Sequence, residues 1–263
     1  MTMRLIDDAR ICLIFFTRLP VKWPEDLPRE RITRAFRAAP VAGLAVGLVG
    51  GLVYALMAVL TDTSPYICAA FAVMAQLLAT GAFHEDGLAD FFDGLGGGRT
   101  PDERLEIMRD SRIGTYGAAA LGMALLAKVL LVAELALPWQ AALALVATGA
   151  LSRGALVQMM ALVKPAGSDG LSAEAGQPTG VEASTALTIA VAVAALALVL
   201  AGGLYGVIAV VGAVVAAGLG AALIAWLARR HLGGQTGDVL GAAAVVAELF
   251  ALVAIVRLLP PAF

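Results

Sequence analysis

The chain has 263 residues, 60% of them hydrophobic and 14% charged, with a net charge of -2 and a mean hydropathy of +0.89. A soluble domain carries about a quarter charged residues, so this composition does not fit one water-soluble core. The absence of a basic stripe argues against a nucleic-acid partner.

In chain order, residues 1–37 read as a cytoplasmic or interfacial N-terminal segment. Its apolar stretch, residues 11–16, lies between Asp7, Asp8, Arg18 and Lys22. That stretch is too short for a secretory signal and no small-residue cleavage site follows, so a membrane-surface helix that stays in the mature chain is expected. Residues 38–259 then divide into about seven spans: 38–60, 66–83, 114–137, 139–162, 184–201, 204–227 and 236–259. Most of these runs reach the ~20 residues a helix needs to cross the hydrocarbon. Pro65, Pro138 and Gly202-Gly203 punctuate three of the turns. The expected fold is all-α, one integral membrane domain over residues 1–263 forming a polytopic transmembrane helical bundle.

Lys and Arg alternate with the turns. Sixteen of the 18 fall before the first span, after the second, around the end of the fourth or at the end of the sixth. The turns on the other side, residues 61–65, 138 and 202–203, hold none. By the positive-inside rule the N-terminus of this multi-pass chain is cytoplasmic and its C-terminus outside. Glycines such as Gly43, Gly47, Gly50 and Gly51 suit close helix packing. Cys12 and Cys68 have no metal-like spacing and read as buried free thiols.

The polar residues are concentrated. The segment 81–99 extends the second span and carries His84, Glu85, Asp86, Asp90 and Asp93. Asp86, Asp90 and Asp93 fall at i, i+4 and i+7, so a continuing helix puts three like charges on one face. A hard divalent cation such as Mg²⁺ relieves that repulsion and shares its shell with substrate phosphate. Thr100-Pro101 marks a new helix start. Arg109, Ser111 and Arg112 follow, and planar guanidinium forks suit phosphate oxygens. The glycine-rich turn 233–238, with Gly237 and Asp238, opens the seventh span as a helix N-terminus fit for an anion, although Asp238 also suits a capping role. Arg153 lies in the fourth span, where a cation needs a partner, and the loop 164–180 is rich in turn residues. Lys128 and Glu248 are deep enough in their helices to form a buried pair.

The run His84-Glu-Asp86-Gly-Leu-Ala-Asp90-Phe-Phe-Asp93-Gly94-Leu-Gly-Gly-Gly98, followed by Arg109-Asp-Ser111-Arg112-Ile-Gly114, resembles the signature of the cobalamin-5′-phosphate synthase family, the adenosylcobinamide-GDP ribazoletransferases. Phe16-Thr17-Arg18-Leu19-Pro20 and Thr236-Gly237-Asp238 are similar to further segments of that family. The resemblance implies transfer of α-ribazole, or its 5′-phosphate, to adenosylcobinamide-GDP, releasing GMP. It implies Mg²⁺ on Asp86, Asp90, Asp93 and Glu85, and catalytic roles for Asp90, Asp93 and His84. Substrate contacts would come from Arg18, Arg109, Ser111, Arg112, Arg153, Gly237 and Asp238. The implied partners are the corrinoid nucleotide, α-ribazole and the bilayer, with room for a homo-oligomer or a complex with other enzymes of the pathway. The rival readings are another Mg²⁺-dependent intramembrane transferase, of prenyl or CDP-alcohol type, and a secondary transporter. The position after Ala89 is Asp90 rather than the arginine of a CDP-alcohol motif, and the polar cluster sits at one edge rather than at the bilayer midplane.

Overall fold

The computed structural model describes residues 2–22, 30–61, 64–135, 137–167 and 176–260. Over these the chain is helical: α1 Thr2–Phe16, α2 Glu30–Ala35, a 3-10 turn Phe36–Ala38, α3 Ala39–Thr61, α4 Pro65–Thr80, α5 Phe83–Gly97, α6 Pro101–Arg109, α7 Thr115–Ala133, α8 Pro138–Leu162, α9 Gly180–Gly202, α10 Leu204–His231 and α11 Gly237–Leu258. Proline occupies the first position of α4, α6 and α8, where its missing N–H costs nothing.

Among the described residues, six helical segments are long and apolar enough to cross a membrane, seven if the bent pair α4–α5 is one span. Of the most apolar stretch of α8, 89% is buried, against 22–39% for the spans in α3, α7, α9 and α10. Helix α8 is therefore the axis of the bundle, with α3, α9, α10 and α11 packed around it. The outer helices turn large apolar side chains such as Leu52, Leu78, Leu196 and Val211 outward, a surface suited to lipid rather than water. Small residues set the α3–α8 contact: a Cβ on Gly43 would overlap the carbonyl of Gly149, and one on Gly47 would lie 2.5 Å from the carbonyl oxygen of Leu145. The glycines at spacings of four thus serve backbone approach, as expected. Cys12 and Cys68 are buried free thiols.

The structure departs from the expected spans at four places, one of them the third span, which ends at Ala133 rather than at 137. The second span does not run on to the acidic segment. It stops at Thr80, and Gly81 and Ala82 are both left-handed, at φ 67° and 57°. The following helix leaves at 90°. Glycine adopts that conformation freely, whereas alanine does so at a cost of about 1–2 kcal/mol. The fifth span starts four residues earlier than expected, at Gly180, because Thr179 and Glu182 form a capping box ahead of it. The sixth continues to His231. Of the loop 164–180, residues 168–175 lie outside the described residues, Asp169 and Gly170 among them. Its first part is anchored to the turn before α11: Ala166 N–H donates to the Gln235 carbonyl and Gln235 N–H to the Lys164 carbonyl, both at 2.9 Å.

Candidate active site

Helix α5 carries the acids. Asp86 is exposed, Asp90 half-buried and Asp93 buried, so the row descends from the surface into the bundle along one face. Helix α11 meets this helix by glycine contact. A Cβ on Gly87 would lie 2.8 Å from the Asp238 Cα, and one on Gly241 would lie 3.1 Å from the His84 carbonyl oxygen. That approach brings Asp238 to the row, and Asp86, Asp238 and Asp93 all act electrostatically on Asp90. Asp238 is not the cap of α11. Thr236 is, accepting from Val239 N–H at 3.3 Å, which leaves the Asp238 carboxylate to the acidic group. Arg18 enters from the N-terminal segment: its N–H donates to the Ala79 carbonyl at 2.7 Å, and its guanidinium lies against Gly81 at the helix break.

Asp93 differs from its neighbours. Its two oxygens accept the Gly114 N–H at 2.6 Å and the Gly117 N–H at 2.8 Å. Gly114 is the residue before α7 and has no side chain to cap it, so α5 supplies the cap from outside. The turn that carries Arg109, Ser111 and Arg112 is thereby pinned beside the acidic row, with all three side chains exposed. Arg112 is engaged with Asp110 at 2.6 Å, and these hydrogen bonds hold the Asp110 carboxyl down to about 2. Helix α6 ends this region with its Thr100–Glu103 capping box, and Arg104 donates to the Gly98 and His231 carbonyls, each at 3.1 Å.

Behind the row lies a chain of buried polar groups. Lys128 Nζ is 2.9 Å from Glu248 Oε1, the expected pair. Arg153 joins it, 3.9 Å from Glu248 Oε2, and also donates to Ser152 Oγ at 2.9 Å. Its Nη2 stands 3.4 Å from His84 Nδ1. Arg153 is thus committed inside the bundle, behind His84. Glu85 is buried as well, with one carboxylate oxygen lacking a partner among the described residues, as do both polar atoms of the Gln235 side chain. The third member of the Lys128–Glu248 group, the Asp93 cap and the buried amide of Gln235 went unread in the sequence. Each depends on which helices meet, and spacing along one helix carries no record of that.

Among the described residues, no three His, Cys, Asp or Glu side chains stand close enough to hold a metal ion by themselves. The donor set nevertheless fits Mg²⁺. Asp86, Asp90 and Asp238 are hard oxygen donors near enough to act electrostatically on one another, and Mg²⁺ ordinarily takes one or two carboxylates, with water and substrate phosphates completing its shell. Asp93 fits less well, since both its oxygens are already in use.

The three segments singled out in the sequence, 16–20, 84–114 and 236–238, therefore meet at one end of the bundle. Residues 8–256 match the family described as cobalamin-5-phosphate synthase. The chain belongs to that family. It is 46% identical over 247 residues to the adenosylcobinamide-GDP ribazoletransferase of Mesorhizobium japonicum, covering 94% of this chain and 91% of the relative. The protein of the same name from Bradyrhizobium diazoefficiens is 47% identical over 90% of this chain and 88% of its own length. That of Escherichia coli is 40% identical over 92% and 96%. No solved structure matches. Membership in the cobalamin-5-phosphate synthase family accounts for residues spread over nearly the whole chain, and the prenyl, CDP-alcohol and transporter readings have no comparable support.

Proposed function

We propose that the chain joins α-ribazole, or its 5′-phosphate, to adenosylcobinamide-GDP, forming adenosylcobalamin, or its 5′-phosphate, and releasing GMP. The observation that carries this reading is the meeting of Arg18, the α5 carboxylates and Asp238 at one end of the bundle, in a chain of this family. A ribose hydroxyl of α-ribazole attacks the phosphorus attached to cobinamide. A new P–O bond forms, the bond to the bridging oxygen breaks, and GMP leaves with the electron pair. Asp90, half-buried among other carboxylates, takes the hydroxyl proton. Asp86 and Asp238 would hold Mg²⁺, which when bound offsets the negative charge of the pyrophosphate and of the departing GMP. Arg18 and Arg109 reach for phosphate oxygens, and the N–H groups opening α11 at Gly237 face the same anion. The α7 cap formed by Asp93 keeps the arginine-bearing turn at the acidic row.

The distribution of Lys and Arg supports an inner-membrane location with the N-terminus and this site on the cytoplasmic side. A homo-oligomer or a complex with neighbouring enzymes of the pathway is compatible with that placement. The test is incubation of purified protein with adenosylcobinamide-GDP, α-ribazole and Mg²⁺. GMP and the joined corrinoid are expected, both lost on chelation or in Asp86→Asn. A folded protein that yields neither product would overturn the reading.

A further inference from the structure

Helices α9 and α10 form a hairpin that is closed at Gly203 and open toward the end where α10 finishes. Near the turn the two touch, and a Cβ on Gly206 would overlap the Leu198 carbonyl. Farther along, each leans on a different neighbour. A Cβ on Gly154 of α8 would lie 2.7 Å from the Ala190 Cβ of α9, and one on Gly220 of α10 would lie 2.9 Å from the Val246 carbonyl oxygen of α11. Between these contacts lies a groove of about 440 Å³. Buried Leu151 and Ala155 of α8 form its floor, Leu187 of α9 one wall, and Ala217, Gly218 and Ala222 of α10 the other. At Gly218 the space is open, with no atom within 4 Å of an added Cβ.

The groove is apolar along its length and ends in charge. Among the described residues its only polar side chains are Gln158, Trp226 and Arg229, and the Gln158 amide already donates to the Ala183 carbonyl at 2.5 Å. Water needs about two to four polar partners to settle in such a space, so these walls favour hydrocarbon. Leu187, Gly218 and Ala222 are exposed on the outer surface, which turns the opening toward the bilayer. Arg229 lines the mouth, and its Nη2 donates to the Leu162 carbonyl at 2.9 Å, which holds the guanidinium there with other N–H groups to spare. Arg230 lies 6.0 Å from the centroid of the exposed Trp226 ring, a residue type that marks the boundary of hydrocarbon and headgroups. Among the described residues no carboxylate lines the groove.

We infer that this groove binds an anionic phospholipid, with one acyl chain between α9 and α10 and its phosphate on the Arg229 guanidinium. A guanidinium fork suits phosphate oxygens, and basic pockets between membrane helices attract anionic headgroups. The acyl chain covers the stretch of α8 that the hairpin leaves open, so the lipid completes the packing of the central helix. The site shares no residue with the acidic row and does not rest on the proposed reaction.

The experiment is native mass spectrometry of the protein in mild detergent, with equal amounts of phosphatidylglycerol and phosphatidylcholine carrying the same acyl chains. Wild-type protein is expected to retain phosphatidylglycerol about 5-fold more, the factor that one basic residue near an anionic headgroup supplies. Arg229→Gln should retain the two lipids equally. Gly218→Leu fills the groove, leaves every cation in place and puts a better helix former in α10, so it should lose the lipid and keep the fold. The headgroup fragment sn-glycerol 3-phosphate, which has the charge and no acyl chain, should not bind. Equal retention of both lipids by wild-type protein leaves only a general lipid coat and overturns the proposal. Phosphatidylglycerol retained in full by Gly218→Leu, or capture of sn-glycerol 3-phosphate alone, overturns it as well. A wild-type dimer that Gly218→Leu dissociates would assign the groove to a second copy of the chain instead.

Discussion

Replacing Asp93 separates a structural role from a chemical one. Its carboxylate receives the Gly114 N–H at 2.6 Å and the Gly117 N–H at 2.8 Å, two of the donors that open α7. Hydrogen bonds to a charged group contribute about 1.5–3 kcal/mol each. Gly117 is buried and loses its partner outright in Asp93→Ala, whereas Gly114 is exposed and gains water instead. The expected destabilisation is therefore about 3 kcal/mol. At about 2–4 °C per kcal/mol for a chain near this size, the unfolding midpoint should fall by roughly 6–12 °C. Asp93→Asn keeps one acceptor oxygen and should lose about half as much. The assay is thermal unfolding in detergent followed by circular dichroism, with GMP release measured well below the midpoint of each variant. If Asp93→Ala unfolds at the wild-type temperature yet has no turnover, the carboxylate serves the reaction and the cap argument is wrong.

Two more perturbations test the bundle itself. Lys128→Met and Glu248→Leu should each destabilise by about 3–5 kcal/mol by stranding a buried charge; their combination should recover only part, because Arg153 also depends on Glu248. Full recovery in the denaturation midpoint of the double variant would remove Arg153 from the group. Gly43→Leu should abolish folded protein in size-exclusion chromatography, since its side chain would displace the Gly149 backbone of the central helix, and a monodisperse wild-type profile would show that α3 is free to shift.

Much of this architecture is legible in the sequence because apolar run length and the charge of the turns are properties of single segments. The spans at α3, α8 and α11 needed nothing more. The helix break at Gly81-Ala82 was not legible: the acids at positions 86, 90 and 93 keep helical spacing, and an alanine in the left-handed region leaves no signature in composition. Spacing placed Asp86, Asp90 and Asp93 on one face, and they are. It did not reveal that Asp93 turns to the start of α7. Lys128 and Glu248 were recognised by depth and sign, but the third partner required knowing that α8 runs between α3 and α11. The packed rings of Phe15, Phe16, Phe36 and Phe83 come from positions that no periodicity relates.

The Lys128–Glu248–Arg153 group also constrains how the protein is made. Its two cations lie on α7 and α8 and its single anion on α11, so in synthesis both positive charges enter the bilayer before their counter-charge exists. A lone cation at that depth is expensive. Helices α7 and α8 thus reach their final packing only once α11 supplies Glu248. A chain truncated ahead of Glu248 should leave Lys128 without its carboxylate and Arg153 with only Ser152 and His84, and should be less stable for it. Assembly of this part of the bundle therefore depends on α11 reaching α7 and α8.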